Sequence, residues 1–241
     1  MKSFESDFIE TQNLFSGSPF QVLPKATLEK LLSTKIVHHF RKGEMIYHQE
    51  TPCFGLHCIE SGTVKLFTQE EDGKEIISRI ARSGDLIGHT SIFCRRTFIE
   101  SAKALEPVDC SFIETSLVKE LLQESPVLMN EILLKISSEL YESNIKNADM
   151  VRKNVRERLA AYFIKMIQSK VPHQGSSNHF TPHLSREEIA SYIGSAHETV
   201  IRCISEFKEL GYINEENKTF YILNKEMLLN LSGGPLTHLR S

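Results

Sequence analysis

Apolar and polar positions change rhythm three times along the 241-residue chain. Leu28, Leu31 and Leu32 follow Pro24 at helical spacing and predict a short helix. From there to about residue 118 the apolar residues come in short runs closed by turn formers. Ile36-Val37-His38-His39-Phe40 ends at Lys42-Gly43-Glu44, Met45-Ile46-Tyr47 at a polar stretch reaching Pro52, and Leu56-His57-Cys58-Ile59-Glu60 at Ser61-Gly62. Thr63-Val64-Lys65-Leu66-Phe67-Thr68 alternates and meets Glu71-Asp72-Gly73-Lys74, and Ile76-Ile77-Ser78-Arg79-Ile80 meets Ser83-Gly84-Asp85. Strands this short, spaced by about 8–12 residues, predict an antiparallel roll of roughly eight strands.

The rhythm then becomes helical. Neither Gly nor Pro occurs between Pro126 and Pro172. Met129, Leu133, Ile136, Leu140, Ser143, Asn147 and Met150 alternate spacings of four and three, the seam of a parallel dimer helix. Ile132, Leu134 and Tyr141 are expected to form a second apolar face against the roll. A single amphipathic helix packed on its own domain is the plainer alternative. The seam turns polar at Ser143 and Asn147, where polar residues fix register or serve a site.

A third region begins near Lys153. Asn154 and Glu157 read as a capping box opening a helix through Leu159, Ala160, Phe163, Ile164 and Ile167. A polar linker runs from Lys170 to Pro182. Residues 185–209 read SREEIASYIGSAHETVIRCISEFKE, the pattern of a helix-turn-helix. Ser185 with Glu188 caps the first helix, and Ile189, Ala190 and Ile193 are its buried face. Gly194 falls where the turn needs positive φ. Ser195 with Glu198 is expected to cap the second helix, whose inner face is Val200, Cys203, Ile204 and Phe207. His197, Glu198, Ile201, Arg202 and Lys208 then face outward. Arg can donate two hydrogen bonds to guanine and Glu can accept from cytosine, so Glu198 and Arg202, one helical turn apart, are candidate base readers. A surface ion pair between them is the plain alternative. After Leu210-Gly211, the stretches around Tyr212-Ile213 and Phe220-Tyr221-Ile222 read as a hairpin, which makes a winged helix and puts Lys218 within reach of a phosphate.

Charge sharpens this division. The whole chain carries a net charge of −3. Residues 1–152 hold 17 bases against 22 acids, and residues 153–241 hold 11 against 9, so only the C-terminal part leans towards a polyanion. Five Cys residues fit a reducing cytoplasm better than a disulfide framework, and MKSFESDFIETQN has acids where a secretory leader has an apolar run. No run is long enough for a membrane span. No Ser-His-Asp order, metal-ligand motif or phosphate-cradling Gly loop points to an enzyme.

The order of roll, long helix, hinge and winged helix resembles the superfamily of the cyclic-AMP receptor protein and the fumarate–nitrate regulator (Crp/Fnr). The resemblance covers about residues 20–225. It rests on Lys42-Gly43-Glu44, Glu60-Ser61-Gly62-Thr63-Val64-Lys65-Leu66, Ser83-Gly84-Asp85-Leu86-Ile87-Gly88, Glu157-Arg158-Leu159-Ala160-Ala161, Leu184 through Ala190, and Gly194 through Glu198-Thr199-Val200 to Arg202. It implies an α+β chain: an N-terminal antiparallel β-roll of the cyclic-nucleotide-binding-like jelly-roll type, a long dimerisation helix and a C-terminal winged helix-turn-helix. The expected divisions are a sensing roll over 1–118, the dimer helix over 119–152 and the DNA-binding domain over 153–241. Such a chain would be a homodimeric, sequence-specific transcription regulator whose partners are double-stranded DNA and RNA polymerase. The resemblance assigns base reading to Glu198 and Arg202 and phosphate contacts to Ser185 and Thr199. Arg186, His197, Lys208 and Lys218 complete the expected DNA-binding set.

The expected effector pocket is Gly88, His89, Glu100, Ser101, Ser143 and Asn147. It departs from the family's cyclic-nucleotide pattern. His89 stands where a Glu would hold the ribose, and Glu100-Ser101 stands where an Arg-Ser pair would hold the cyclic phosphate. A carboxylate facing that phosphate repels it, so cyclic AMP is not the expected effector. Other sensing chemistries stay open: another small molecule, haem or a metal through His38, His39, His48, His57 or His89, or a redox signal. No cofactor or metal is assigned. The first Cys is Cys53, so the family's N-terminal iron–sulfur cysteine cluster is missing. Cys53 and Cys58 read as buried small hydrophobes and Cys203 as core, while Cys94 beside Arg95 and Arg96 is the candidate reactive thiol. A roll that binds a ligand while the C-terminal domain docks protein is the remaining alternative.

Overall fold

The computed structural model describes residues 15–71, 73–94, 97–168 and 178–233. Arg95, Arg96, most of the predicted linker and the N-terminal stretch read for a leader lie outside them. The chain divides into two compact units, 1–141 and 142–241.

In the first unit a helix α1 (Lys25–Thr34) buries Leu28 and Leu31, as its leucine spacing predicts. Among the described residues eight strands follow: β1 (Ile36–Phe40), β2 (Met45–Tyr47), β3 (Gly55–Ser61), β4 (Thr63–Gln69), β5 (Glu75–Arg82), β6 (Leu86–Ile87), β7 (Ser101–Ala104) and β8 (Val108–Glu114). A short helix α2 (His89–Cys94) lies between β6 and β7. The strands form two four-stranded antiparallel sheets, ordered β1-β8-β3-β6 and β2-β7-β4-β5. Each sheet mixes distant parts of the chain, which is the roll that the strand spacing predicts.

The alternation along β3 separates two cores. Leu56 and Cys58 join Phe15, Phe20, Leu28 and Leu31 with helix residues Leu121, Leu128 and Ile132. Ile59 points the other way and packs with Val64, Leu66, Ala81, Ile87, Phe98, Ala102 and Val108, a layer drawn from both sheets. Cys58 is buried and its thiol is pushed up to about 12, chiefly by burial, which suits a small hydrophobe.

Two helices close the unit, α3 (Thr115–Glu124) and the start of α4 (Pro126–Arg152). Leu128 and Ile132 are the fully packed face of α4. Met129, Leu133 and Leu140 are 51%, 60% and 61% exposed, and Ile136 is partly buried against the core. The expectation that Leu134 and Tyr141 pack on the roll is corrected: both are exposed. At about 100° per residue they sit nearly half a turn round from Ile132 and cannot share its face.

The second unit holds the end of α4, then α5 (Val155–Gln168), β9 (His179–Phe180), α6 (Arg186–Ile193), α7 (His197–Glu209), β10 (Ile213–Glu216), β11 (Thr219–Ile222) and α8 (Lys225–Leu231). The Asn154–Glu157 capping box forms: Glu157 N–H donates to Asn154 Oδ1 at 3.1 Å and Asn154 N–H donates to Glu157 Oε2 at 3.0 Å. Phe163, Phe180, Phe207 and Phe220 make the aromatic centre of this unit, with Phe163 and Phe220 rings edge to face at 4.9 Å. β10 and β11 form the predicted hairpin, and Asn217 and Lys218 take positive φ at its tip.

His57 yields a test of the first unit. It is buried on β3, its ring 5.1 Å from Phe112 and 5.8 Å from Tyr47, and Nδ1 has no hydrogen-bond partner among the described residues. Burial first, and the neighbouring His38 second, push its imidazole down to about 4. Between about pH 6.5 and that value the unfolded chain takes up a proton that the folded chain refuses, so stability falls as pH falls. The loss across this window is expected to reach about 3 kcal/mol. His57→Phe should flatten this acid limb in denaturant unfolding followed as a function of pH, and an unchanged limb would refute the assignment.

Candidate nucleic-acid interface and sensing roll

The helix-turn-helix is set by its two ends and its turn. Ser185 caps α6: its Oγ accepts the Glu188 N–H at 3.1 Å, and its own N–H donates to Glu188 Oε2 at 2.8 Å. Gly194 ends α6 at φ 66°, ψ 54°, the left-handed region that glycine enters without strain. A Cβ there would lie 2.7 Å from Met150 Sδ at the end of α4. Met150, expected in the dimer seam, therefore packs on this turn. Arg158 closes the same junction. Its Nε donates to Ile193 O at 2.8 Å and its Nη2 to Gly194 O at 3.0 Å, while Nη1 donates to Met150 O at 3.4 Å and to Lys153 O. Lys146 lies 4.1 Å over the Tyr192 ring, and burial pulls its ammonium down to about 8.

The second expected capping box does not form. The N-cap of α7 is Ala196, with no side-chain cap, because the turn takes one more residue after Gly194. Glu198 is then the second helical residue, one short of the position that reaches back. That leaves it free for other use. Val200, Cys203, Ile204 and Phe207 are buried, as their spacing predicts, and Glu198, Ile201 and Arg202 are exposed. Among the described residues neither the Glu198 nor the Arg202 side chain makes a hydrogen bond or an ion pair, to each other or elsewhere. His197 and Thr199 are half-buried beside them, and Lys218 is exposed at the hairpin tip.

Arg186 and Lys208 differ from the expectation of free phosphate ligands. Arg186 Nη2 pairs with Glu215 Oε1, and Lys208 Nζ pairs with Glu215 Oε2. The spacing within α6 and α7 gives no hint of this, because the shared carboxylate comes from the wing.

The expected effector residues divide between the units. Gly88, His89, Glu100 and Ser101 belong to the roll, whereas Ser143 and Asn147 belong to the second unit, where both are exposed. In the roll each polar position already has work. Glu100 Oε2 accepts from Ser78 Oγ at 2.5 Å, and Ser101 Oγ accepts the Gln49 N–H at 2.9 Å. His89 is buried with Nε2 2.9 Å from Glu139 Oε2 on α4, and the other carboxylate oxygen pairs with Arg79. Burial works to raise the Glu139 carboxyl, but His89, Arg79 and Lys135 together outweigh it and hold it below its ordinary value. Lys135, one turn earlier on α4, pairs with Asp85. A Cβ at Gly88 would meet the Phe98 ring at 2.8 Å, and Phe98 stacks on Tyr47 with centroids 3.8 Å apart. Arg79, Glu139, Tyr47 and Phe98 carry no local signal of this role in the sequence, and only contacts across the roll reveal them.

Among the described residues no three His, Cys, Asp or Glu side chains gather as a metal would require. His39 pairs with Asp109 at 2.6 Å on an exposed edge, and its contact and that of Ser61 hold the Asp109 carboxyl low. Cys53 is half-buried with Sγ 3.2 Å from Gly55 O, Cys203 is core, and Cys94 is exposed. Among the described residues no helix is long and apolar enough to cross a membrane.

These features meet their counterparts in known proteins. Residues 37–125 match the cyclic nucleotide-binding domain, and residues 157–231 match the Crp-like helix-turn-helix domain. Electron transport regulator A of Shewanella oneidensis is 31% identical over 194 residues, covering 80% of this chain and 77% of the relative. The CRP-like cAMP-activated global transcriptional regulator of Mycobacterium tuberculosis is 26% identical over 189 residues, covering 78% and 84%. The structure of FixK2 from Bradyrhizobium japonicum superposes with a TM-score of 0.75 at 20% identity, covering 84% of this chain and 99% of that one, a likeness of fold. With a roll, a long helix and a helix-turn-helix in this order, and a relative this similar along most of its length, the chain belongs to the Crp/Fnr family of transcription regulators.

Proposed function

We propose that the protein acts as a homodimer that binds an inverted-repeat DNA site through residues 197–209 and acts on RNA polymerase from there. The observation that carries this reading is the pair Glu198 and Arg202. Both are exposed on one face of α7, one turn apart, and neither is used by the fold. Unpaired charged side chains at the start of a recognition helix are what base reading in a major groove needs. The dimer is supported by Met129, Leu133 and Leu140, an apolar stripe that a solvated monomer would leave in water.

The roll is proposed to respond to something other than cyclic AMP. The Mycobacterium relative is named as cAMP-activated. Here, however, His89 is engaged with Glu139, a carboxylate stands at position 100, and Phe98 covers Gly88. At position 100 a cyclic phosphate would face a carboxylate rather than a guanidinium.

Selection of bound sequences from a random duplex pool tests the central claim. The enriched motif is expected to be an inverted repeat with half-sites one helical turn apart. Arg202→Ala should lose about 1–3 kcal/mol at that site and flatten preference at one base pair of each half. An unchanged motif would remove Arg202 from base reading, and binding with no salt dependence would favour a protein-docking domain. Leu133→Lys with Leu140→Lys should sediment as a monomer without site affinity, and an intact dimer would move the interface elsewhere. Calorimetry with cyclic AMP should show no saturable binding at micromolar concentrations, and a clear micromolar isotherm would overturn that part of the reading.

A further inference from the structure

One carboxylate on the wing is shared by two basic side chains. Glu215 stands directly across the hairpin from Phe220, so both side chains lie on the same face of the wing. Phe220 is fully buried, and that face therefore turns Glu215 towards the two helices of the helix-turn-helix. Oε1 takes Arg186 and Oε2 takes Lys208. Arg186 also lies close enough over Phe220 to bring Cζ 4.3 Å from the ring centroid. The carboxylate side chain is only 20% exposed, against 27% for Arg186 and 39% for Lys208. Arg186 opens α6 and Lys208 lies in the last turn of α7, so three elements meet at one acid. In a winged helix-turn-helix the first helix crosses the DNA backbone, and Arg and Lys are the residues that replace its counterions.

We propose that Glu215 is an internal counter-charge. It competes with DNA phosphates for Arg186 and Lys208 and so holds down sequence-independent affinity. A phosphate that reaches either cation must displace a partly shielded carboxylate rather than water. Glu198 and Arg202 are outside this cluster, so base reading is left intact while the backbone contribution is reduced. The effect is weaker binding to all sequences alike, with discrimination between them left to Glu198 and Arg202. The proposal rests on the reading of α7 as a DNA-recognition helix.

Glu215→Gln tests it, since Gln keeps the shape and removes the charge. Binding to a mixed-sequence duplex is followed by fluorescence anisotropy over a range of salt concentrations. Each additional phosphate neutralised steepens the log–log salt slope by about 0.9, so the variant should bind several-fold tighter at low salt with a slope steeper by about 1–2 units. In an Arg186→Ala, Lys208→Ala background the same change should leave the slope where it was. An unchanged or shallower slope in a variant with wild-type thermal unfolding would overturn the proposal, as would equal steepening in that background. A second measurement does not depend on Glu215→Gln folding. Lys208→Met in the otherwise wild-type protein should move the slope by well under one unit, and a loss of about one full unit would mean that Lys208 already holds a phosphate. Failure of the underlying reading looks different: the wild-type protein itself would then bind no duplex in a salt-dependent way.

Discussion

The junction between the end of α4 and the helix-turn-helix turn is set by one close approach, that of Met150 to Gly194. A Cβ at position 194 would come within 2.7 Å of the Met150 sulfur and oblige that side chain to shift, and the backbone there is in the left-handed region that glycine enters without strain. The approach brings backbone carbonyls from two places together, at the end of the long helix and at the turn between α6 and α7. Three of these carbonyl contacts are partly buried and need donors, and Arg158 supplies one to each, and to the exposed Gly194 carbonyl, from one planar group. A lysine has a single ammonium and could not span these four oxygens. The turn that precedes α7 is thereby tied to the end of α4, while Val200, Cys203, Ile204 and Phe207 bury the inner face of α7 itself.

Much of this is legible in the sequence because it is local. Ser185 with Glu188, Asn154 with Glu157, the positive-φ glycine at 194 and the strand-closing turns are signalled within a few residues, and all form as read. What the sequence conceals has a different character. Lys208 and Arg186 read as phosphate ligands because their partner is Glu215, seven and twenty-nine residues away. Leu134 and Tyr141 are apolar, which alone suggests a place against the roll, although helix geometry puts them opposite Ile132. The Ser195 cap fails through a shift of one residue in the turn, which spacing alone does not register.

The roll illustrates the same limit from the side of chemistry. The positions at which the chain departs from a cyclic-nucleotide pattern, His89 and Glu100, can be read directly. What they do instead cannot. His89 reaches Glu139 on α4, and Phe98 with Tyr47 fills the space over Gly88. Position 89 thus connects the roll to the long helix, where the sequence predicts a ligand-facing residue.

That connection also bears on how the helix is indexed. Leu128 and Ile132 supply the apolar attachment of α4 to the roll. Burying Glu139 against Arg79 and His89 adds desolvation cost, so charge is an inefficient way to strengthen the attachment. Lys135 and Glu139 are one turn apart, however, and pair respectively with Asp85 and with Arg79 and His89. One rotation of α4 about its axis satisfies both sets at once, and a turn of 100° would strand a half-buried carboxylate. The same rotation directs Met129, Leu133 and Leu140 outward. The apolar and polar contacts of the roll therefore agree on one rotation of the long helix and so set which stripe of it faces away from the roll.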